Sequence, residues 1–109
     1  MTDGAKLFDH NGIRTHVDDD GFLVHPSEWS HRMAAAMADA DGVPDLTDEH
    51  WKVMSFVREY WQDNDVAPMV RLLCNETGMT LKHVYELFPN GPAHGACKYA
   101  GLPRPDGCV

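Results

Sequence analysis

The chain has 109 residues, of which 43% are hydrophobic, and this length predicts a single domain that buries a core without disulfide support. No apolar run reaches the length of a membrane span, and three cysteines do not fit a secreted disulfide framework. The net charge of −8 disfavours binding to nucleic-acid phosphates. Because the chain also lacks a charged start followed by an apolar signal core, we expect a cytoplasmic protein.

The N-terminal part predicts a short β-hairpin. Residues 12–17 alternate roughly in polarity, residues 18–21 offer turn chemistry, and residues 22–24 provide a second apolar strand. A hairpin of this size requires a surface against which to pack. We therefore expect it to lie on the helical remainder of the domain.

The first two helices are predicted from capping residues followed by apolar stripes. Ser27 is expected to cap a first helix that ends near Gly42. Thr47 is expected to cap a second helix that runs to about Asp63, and acidic residues in its first turn favour the positive end of the helix dipole. The apolar residues on the inner faces are Trp29, Met33, Ala36, Met37 and Ala40 in the first helix, and Trp51, Met54, Val57 and Trp61 in the second.

Two shorter helices and a fifth helical segment follow. Pro68 is expected in the first turn of a third helix that stops at Gly78. Thr80 is expected to cap a fourth helix, and residues 92–100 are a candidate fifth helix. The apolar positions of the fourth helix are Leu81, Val84, Tyr85 and Phe88. The prediction is an all-α fold: a small orthogonal bundle of about five helices with an N-terminal hairpin, formed by residues 1–100.

Residues 101–109 are predicted to form a flexible arm that carries Cys108. Two prolines stiffen the middle of the arm, and glycines on both sides allow it to hinge. An extended arm would carry Cys108 roughly 35 Å from Cys97, at about 3.3 to 3.6 Å per residue. A curled arm would bring the two thiols together.

The pair of Cys97 and Cys108 predicts reversible thiol chemistry. A purely structural disulfide would constrain only a short tail and so add little stability to the core. Thiol exchange requires a thiolate, which Lys98 and Arg104 would favour if the fold brings either close. Two of the nine basic residues but only one of the seventeen acidic residues lie beyond Cys97, so the tail alone suits an anionic pocket.

The remaining candidate residues have simpler interpretations. Cys74 lies on the apolar side of the third helix, where a cysteine usually acts as a small hydrophobe. Most of the seven histidines are expected to be solvated, and His94 is kept as a possible proton donor or acceptor near Cys97. No His or Cys spacing is typical of a metal site.

A helix-turn-helix pattern over residues 68–88 offers an alternative function as an acidic DNA-binding regulator. Lys82 and His83 could face phosphate, but Glu86 accompanies them on an acidic body. Nucleic acid is therefore the less favoured partner.

Several motifs spread along the chain resemble one known family. They are residues 18–23, 46–51, 57–60 and 85–89, together with residues 91–92, 95–98, 100–103 and 107–109 in the tail region. These motifs resemble DsrC, a family of small sulfur carriers associated with dissimilatory sulfite reductase, and its relative TusE of tRNA thiolation. The resemblance implies a helical domain with an N-terminal hairpin and a mobile C-terminal arm.

The resemblance further implies that Cys108 is the sulfur-bearing thiol and Cys97 its partner. The arm would deliver Cys108 into the sirohaem channel of sulfite reductase, and sulfur would leave as a trisulfide between the two cysteines. A membrane-associated thiol reductase complex would reduce this trisulfide. In the oxidative direction, Cys108 would accept a persulfide from an upstream sulfurtransferase. This chain would bind no cofactor of its own, would not insert into a membrane, and would be a monomer when free.

Two features favour the sulfite-reducing branch of the family over its TusE-like alternative. The thiolation branch resembles a one-cysteine carrier, whereas this chain has Cys97. The loop between the third and fourth helices, about residues 75–80, is shorter than the loop typical of the thiolation and sulfur-oxidising branches. We therefore expect a sulfurtransferase-like carrier or co-substrate rather than an enzyme that turns over alone.

Overall fold

The computed structural model describes residues 6–43 and 45–104. The bounds of its strands and helices are β1 Lys6–His10, β2 Ile13–Val17, a 3₁₀ turn Pro26–Glu28, α1 His31–Ala40, α2 Asp48–Asn64, α3 Val70–Thr77, α4 Leu81–Leu87 and a π-helix Pro92–Cys97. The predicted class, about five helices with an N-terminal hairpin, is confirmed. The orthogonal packing stays a prediction, and the predicted mobile arm extends beyond the described residues.

The hairpin pairs different segments from those predicted. β1 and β2 are antiparallel neighbours with Lys6 opposite Val17, and Asn11 and Gly12 turn the chain with positive φ values of 52° and 81°. This Asn-Gly turn matches the right-handed twist of paired strands and is the hairpin signal that the prediction missed. The predicted second strand, residues 22–24, contributes only an isolated bridge between Val17 and Leu23.

α1 begins later than predicted. The hydroxyl of Ser30 accepts a hydrogen bond from the Met33 backbone N–H at 3.1 Å, so Ser30 is the N-cap. Ser27, the predicted cap, instead lies in the 3₁₀ turn. The buried residues of α1 also differ from the predicted stripe, since Ala40 is exposed, and they are Met33, Ala34, Ala36, Met37 and Ala38.

Thr47 caps α2 as predicted, in a reciprocal arrangement with His50. The Thr47 backbone N–H donates to His50 Nδ1 at 3.0 Å. His50 Nε2 lies 2.8 Å from the carbonyl oxygen of Leu87, the last residue of α4. Because Nδ1 accepts, Nε2 carries the proton and donates to this carbonyl. His50 is buried, and its hydrogen bond to Leu87 joins α2 to α4. This position differs from the solvated one expected for most histidines.

α3 and α4 agree closely with their predicted stop and cap. Gly78 ends α3 in the left-handed conformation with φ of 72°, and Thr80 accepts a hydrogen bond from the His83 N–H at 3.1 Å. Pro68 precedes α3 rather than lying in its first turn. The predicted inner face of α4 is only half right, because Val84 and Phe88 are buried whereas Leu81 and Tyr85 are 45% and 49% exposed.

The candidate fifth helix is a π-helix that enters the centre of the core. Gly95 allows it to approach α4 closely, because a Cβ atom at this position would lie 2.7 Å from the Cβ of Phe88. The residues that follow are also buried, including Tyr99 and Leu102 at 0% and 1% exposure. Gly101 and Leu102, the first residues of the predicted arm, thus pack in the described core. Across the described ranges, no helix combines the length and apolar character that crossing a membrane requires.

Gly101→Ala should test how tightly this segment is packed. Gly101 has φ of +81°, and a Cβ atom there would overlap the ring of Trp29. Backbone strain and steric overlap together should lower the free energy of unfolding by at least about 2 kcal/mol, measured by urea denaturation. Gly42→Ala is the matched control, since Gly42 has φ of +89° but open space around it. Equal losses in the two variants would show that packing against Trp29 contributes nothing.

Candidate functional site

Cys97 is the last residue of the π-helix and lies in the hydrophobic core with 1% of its surface exposed. Its carbonyl oxygen accepts a hydrogen bond from the Leu102 N–H at 3.2 Å, which folds the following residues back over it. π-helical turns are rare and often occur at functional sites. Cys108, the predicted sulfur carrier, lies outside the described residues, so the geometry of the cysteine pair stays a prediction.

Lys98, the predicted supporting cation, forms an ion pair with Asp41. Its Nζ lies 2.6 Å from Asp41 Oδ2, and only 13% of its side chain is exposed. The aliphatic part of the chain passes over Gly21, where a Cβ atom would lie 3.3 Å from Lys98 Cδ. The ammonium group is therefore directed to a carboxylate of the turn after α1. A role for Lys98 in activating Cys97 stays a prediction.

Asp41 also binds the residue after Lys98. The hydroxyl of Tyr99 donates to Asp41 Oδ2 at 2.8 Å, and Asn90 Nδ2 lies 3.4 Å from the same oxygen. Burial raises the pKa of the Tyr99 phenol well above its usual range, and the hydrogen bond and negative charge of Asp41 raise it further. One carboxylate oxygen thus holds two consecutive side chains that follow Cys97.

Trp29 and Arg58 bind the backbone of the same segment. Trp29 Nε1 donates to the Tyr99 carbonyl at 2.8 Å, and an Arg58 guanidinium nitrogen donates to the Ala100 carbonyl at 2.8 Å. The guanidinium carbon lies 4.1 Å from the Trp29 ring centroid, in cation–π contact. Burial lowers the pKa of Arg58. Two carbonyls at the C-terminal end of this helical segment are therefore bound by stacked side chains of α2 and the turn before α1.

The other predicted residues, Arg104, His94 and Cys74, make different contacts. Arg104 is 68% exposed and its Nε lies 3.1 Å from Asp20 Oδ2. His94 is exposed, and its ring meets the edge of Phe22 at a centroid distance of 5.6 Å. Cys74 is half-buried against the core, in agreement with the role predicted for it. Within residues 6–43 and 45–104, no three His, Cys, Asp or Glu side chains form a cluster suited to a metal ion.

Sequence reasoning missed the residues that hold the segment after Cys97. The apolar stripe places Trp29 on a helix face, and no local pattern gives Asp41 or Arg58 a role. Trp29 and Asp41 lie 70 and 58 residues before Tyr99. No local spacing signals a hydrogen bond between residues so far apart, and only tertiary packing brings them together.

Comparisons with known proteins agree on one family. The family model for DsrC like protein matches residues 9–109. The gamma subunit of dissimilatory-type sulfite reductase from Nitratidesulfovibrio vulgaris is 45% identical over 100 residues, which cover 92% of this chain and 95% of that protein. A sulfurtransferase TusE homolog from Haemophilus influenzae is 38% identical over 106 residues, covering 91% of this chain and 96% of that protein.

Structural comparison gives the same result. A chain in the crystal structure of dissimilatory sulfite reductase I superposes with a TM-score of 0.86 and 41% sequence identity. The alignment covers 95% of this chain and 100% of that chain. The likeness therefore extends over nearly the whole chain.

The contact between Tyr99 and Asp41 predicts a specific loss of stability in alkali. Since folding raises the pKa of Tyr99, the stability that this phenol contributes is complete below about pH 10, the ordinary pKa of tyrosine, and is lost as pH rises above it. Tyr99→Phe should lower the free energy of unfolding by about 1 to 3 kcal/mol at pH 7. Above pH 10 the unfolding free energy of this variant, measured with urea, should fall less steeply than that of the unmodified protein.

Tyr85→Phe, at a tyrosine that is 49% exposed, is the matched control and should retain the steep alkaline decline. If Tyr99→Phe declined as steeply as the unmodified protein, the buried phenol would not be the group responsible.

Proposed function

The chain belongs to the DsrC-like family, and from this we propose that it is a sulfur-carrying co-substrate of dissimilatory sulfite reductase. The observation that carries the proposal is that the family match runs through residue 109 and so includes both Cys97 and Cys108. The 45% identity to a gamma subunit of that reductase supports the same partner. In this function the chain presents thiols to an enzyme and is itself chemically changed in each cycle.

Cys108 accepts sulfur and Cys97 completes the reaction. Hydrogen sulfite and the two thiols, with two electrons and three protons delivered through the reductase, give a Cys97–Cys108 trisulfide and three water molecules. The thiols supply the other two of the four electrons that reduce the sulfite sulfur to the central atom of the trisulfide. A sirohaem would be held by the partner enzyme rather than by this chain, and it would supply the electron transfer to sulfite.

Release of sulfide regenerates the carrier. Four electrons and four protons, supplied by a membrane-associated thiol reductase complex, convert the trisulfide into two thiols and hydrogen sulfide. A reducing compartment such as the cytoplasm keeps both thiols available between cycles. In the opposite direction, an upstream sulfurtransferase would load Cys108 with a persulfide, which the reductase would oxidise.

The alternative is a persulfide relay of the TusE type, which the 38% identity to a sulfurtransferase TusE homolog favours. A relay needs only Cys108, so the presence of Cys97 supports the co-substrate role instead. The connection between α3 and α4 supports it as well. α3 continues to Thr77, so only residues 78–80 link the two helices, fewer than the six predicted.

The surface of α4 argues against the DNA-binding alternative. His83 Nε2 lies 2.9 Å from Glu49 Oε2, and its Nδ1 lies 3.3 Å from Glu86 Oε1. These two carboxylates raise the pKa of His83, Glu49 by the larger amount. The same carboxylates repel phosphate, so the face that would enter a DNA groove has little net positive charge.

Intact-protein mass spectrometry tests the proposal. The reduced chain is incubated with sulfite reductase, sulfite and an electron donor, and then quenched with an alkylating reagent. We expect a species heavier by one sulfur atom in which neither Cys97 nor Cys108 is alkylated. Cys97→Ser and Cys108→Ser should each abolish this species, because a trisulfide requires both thiols.

Cys74→Ser is the control and should form the heavier species as the unmodified protein does. Sulfur on Cys108 at the same yield in Cys97→Ser would indicate the relay function. No added sulfur on either cysteine, with an active reductase, would contradict the sulfite-reducing role.

A further inference from the structure

Asn is followed by Gly at two positions of the chain, and the two pairs differ in their surroundings. Asn11 and Gly12 form the turn between β1 and β2, where both residues are exposed. Asn90 and Gly91 lie between α4 and the π-helix, where Gly91 is buried. An Asn-Gly pair is chemically reactive, because glycine has no Cβ atom to keep its backbone nitrogen away from the side-chain carbonyl carbon of the Asn. The fold therefore decides which of two identical dipeptides can react.

In the pair of Asn90 and Gly91, both reacting groups are held. The Gly91 N–H donates to the Phe88 carbonyl at 2.8 Å, and Asn90 Nδ2 donates to Asp41 Oδ2 at 3.4 Å. The Tyr85 ring lies 3.2 Å from the position that a Cβ atom of Gly91 would occupy. The Gly91 nitrogen must leave its acceptor before it can approach the Asn90 side chain. This pair is therefore protected by the fold.

In the hairpin turn, neither reacting group is held. Within the part of the chain that the structure describes, the Gly12 N–H and the Asn11 side chain have no hydrogen-bond partner. A Cβ atom at Gly12 would meet nothing within 4 Å, so the turn is open to water. The contact of His10 Nε2 with Asp39 Oδ2, at 2.7 Å, holds the end of β1 against α1 but does not include the turn. Local opening costs least free energy in exposed segments of this kind.

We propose that Asn11 and Gly12 form a self-modifying site, at which the side chain of Asn11 is lost as ammonia without an enzyme and the turn becomes an isoaspartyl linkage. The Gly12 nitrogen gives its proton to water and attacks Asn11 Cγ. The new C–N bond closes a five-membered succinimide ring, and the side-chain nitrogen takes up a proton and leaves as ammonia. No oxidant or reductant takes part.

Water then opens the succinimide in one of two ways. Cleavage of the bond between Cγ and the Gly12 nitrogen restores the ordinary backbone and leaves an aspartyl residue at position 11. Cleavage of the bond between the main-chain carbonyl carbon and the same nitrogen leaves the backbone running through Cγ, which is the isoaspartyl product. Both products carry one more negative charge than Asn11.

The isoaspartyl product changes the geometry of the hairpin. Its backbone has one extra carbon atom in a turn of two residues, and the length of the turn fixes the register of a hairpin. His10 and Ile13, which flank the turn, are paired across the two strands. The extra atom should therefore disturb this pair and the adjacent contact of His10 with Asp39. The aspartyl product should retain the hairpin, because Asp tolerates the left-handed conformation that Asn11 adopts, with φ of 52°.

Peptide mass spectrometry of the reduced full chain, incubated for several weeks at neutral pH, measures the reaction at each site. Replacement of an NH group by oxygen changes the peptide mass, and electron-transfer fragmentation distinguishes isoaspartyl from aspartyl products. We expect Asn11 to react at least about tenfold faster than Asn90, since two hydrogen bonds hold the Asn90 pair. In concentrated urea, which removes the fold, the two rates should become similar.

Two variants separate the chemistry from its structural effect. Asn11→Gln should show no mass change at this position over the same period, because its longer side chain would have to close a six-membered ring. Asn11→Asp carries the charge of both products on an ordinary backbone and should keep the urea midpoint of the unmodified protein. The isoaspartyl fraction, separated from aged protein by chromatography, should unfold at a lower urea concentration than Asn11→Asp.

An Asn11 rate equal to or below that of Asn90 in the folded chain would overturn the inference. A rate difference that persists in urea would also overturn it, because neighbouring residues rather than the fold would then be the cause. The same holds for an isoaspartyl fraction with the urea midpoint of Asn11→Asp. No partner enzyme takes part in these measurements, so their outcome is independent of the proposed sulfur chemistry.

Discussion

The structure depends on the burial of its last described segment in the hydrophobic core. The π-helix and the residues after it contribute Ala96, Tyr99 and Leu102 to a cluster shared with α1, α2 and α4. Burial of apolar surface at about 25 cal/mol per Å² is the main force that fixes this segment. Cys97 lies within it, so the free energy that folds the domain also decides how accessible the thiol is.

Burial of this segment leaves backbone carbonyls that need hydrogen-bond donors, and the surrounding side chains supply them. A chain that leaves a regular helix has carbonyls without helical donors, and buried carbonyls need partners. Trp29 and Arg58 supply donors to two of them, and Asp41 accepts from the side chains of Lys98 and Tyr99. The contacts that supply hydrogen-bond partners to these carbonyls therefore also fix the positions of the residues that follow Cys97. These residues contribute both to the stability of the fold and to the geometry around Cys97. A substitution that lowers the free energy of unfolding is therefore also expected to change the proposed sulfur chemistry.

Local signals predicted much of the fold and failed where two signals competed. Thr47, Gly78 and Thr80 act as predicted because caps and stops depend on neighbours within one helical turn. The prediction of Ser27 as a cap is wrong, because a 3₁₀ turn that begins with Pro26 precedes α1 and the N-cap is Ser30. The predicted pairing of residues 12–17 with residues 22–24 is wrong, because the Asn-Gly turn at residues 11–12 pairs β2 with β1 instead. The acidic turn does reverse the chain, but the residues after it contribute an isolated bridge between Val17 and Leu23 rather than a strand.

The sequence by itself determined the class of the protein: helices with a hairpin, two cysteines separated by a proline-containing tail, and motifs that resemble a sulfur-carrier family. These features are local, so composition, caps and spacing suffice to find them. Only the tertiary structure decided that Cys97 is buried, that the Lys98 ammonium pairs with Asp41, and that Trp29 and Arg58 bind the backbone beyond the thiol. Such contacts join residues tens of positions apart, and their existence depends on how whole helices pack rather than on any neighbouring residue.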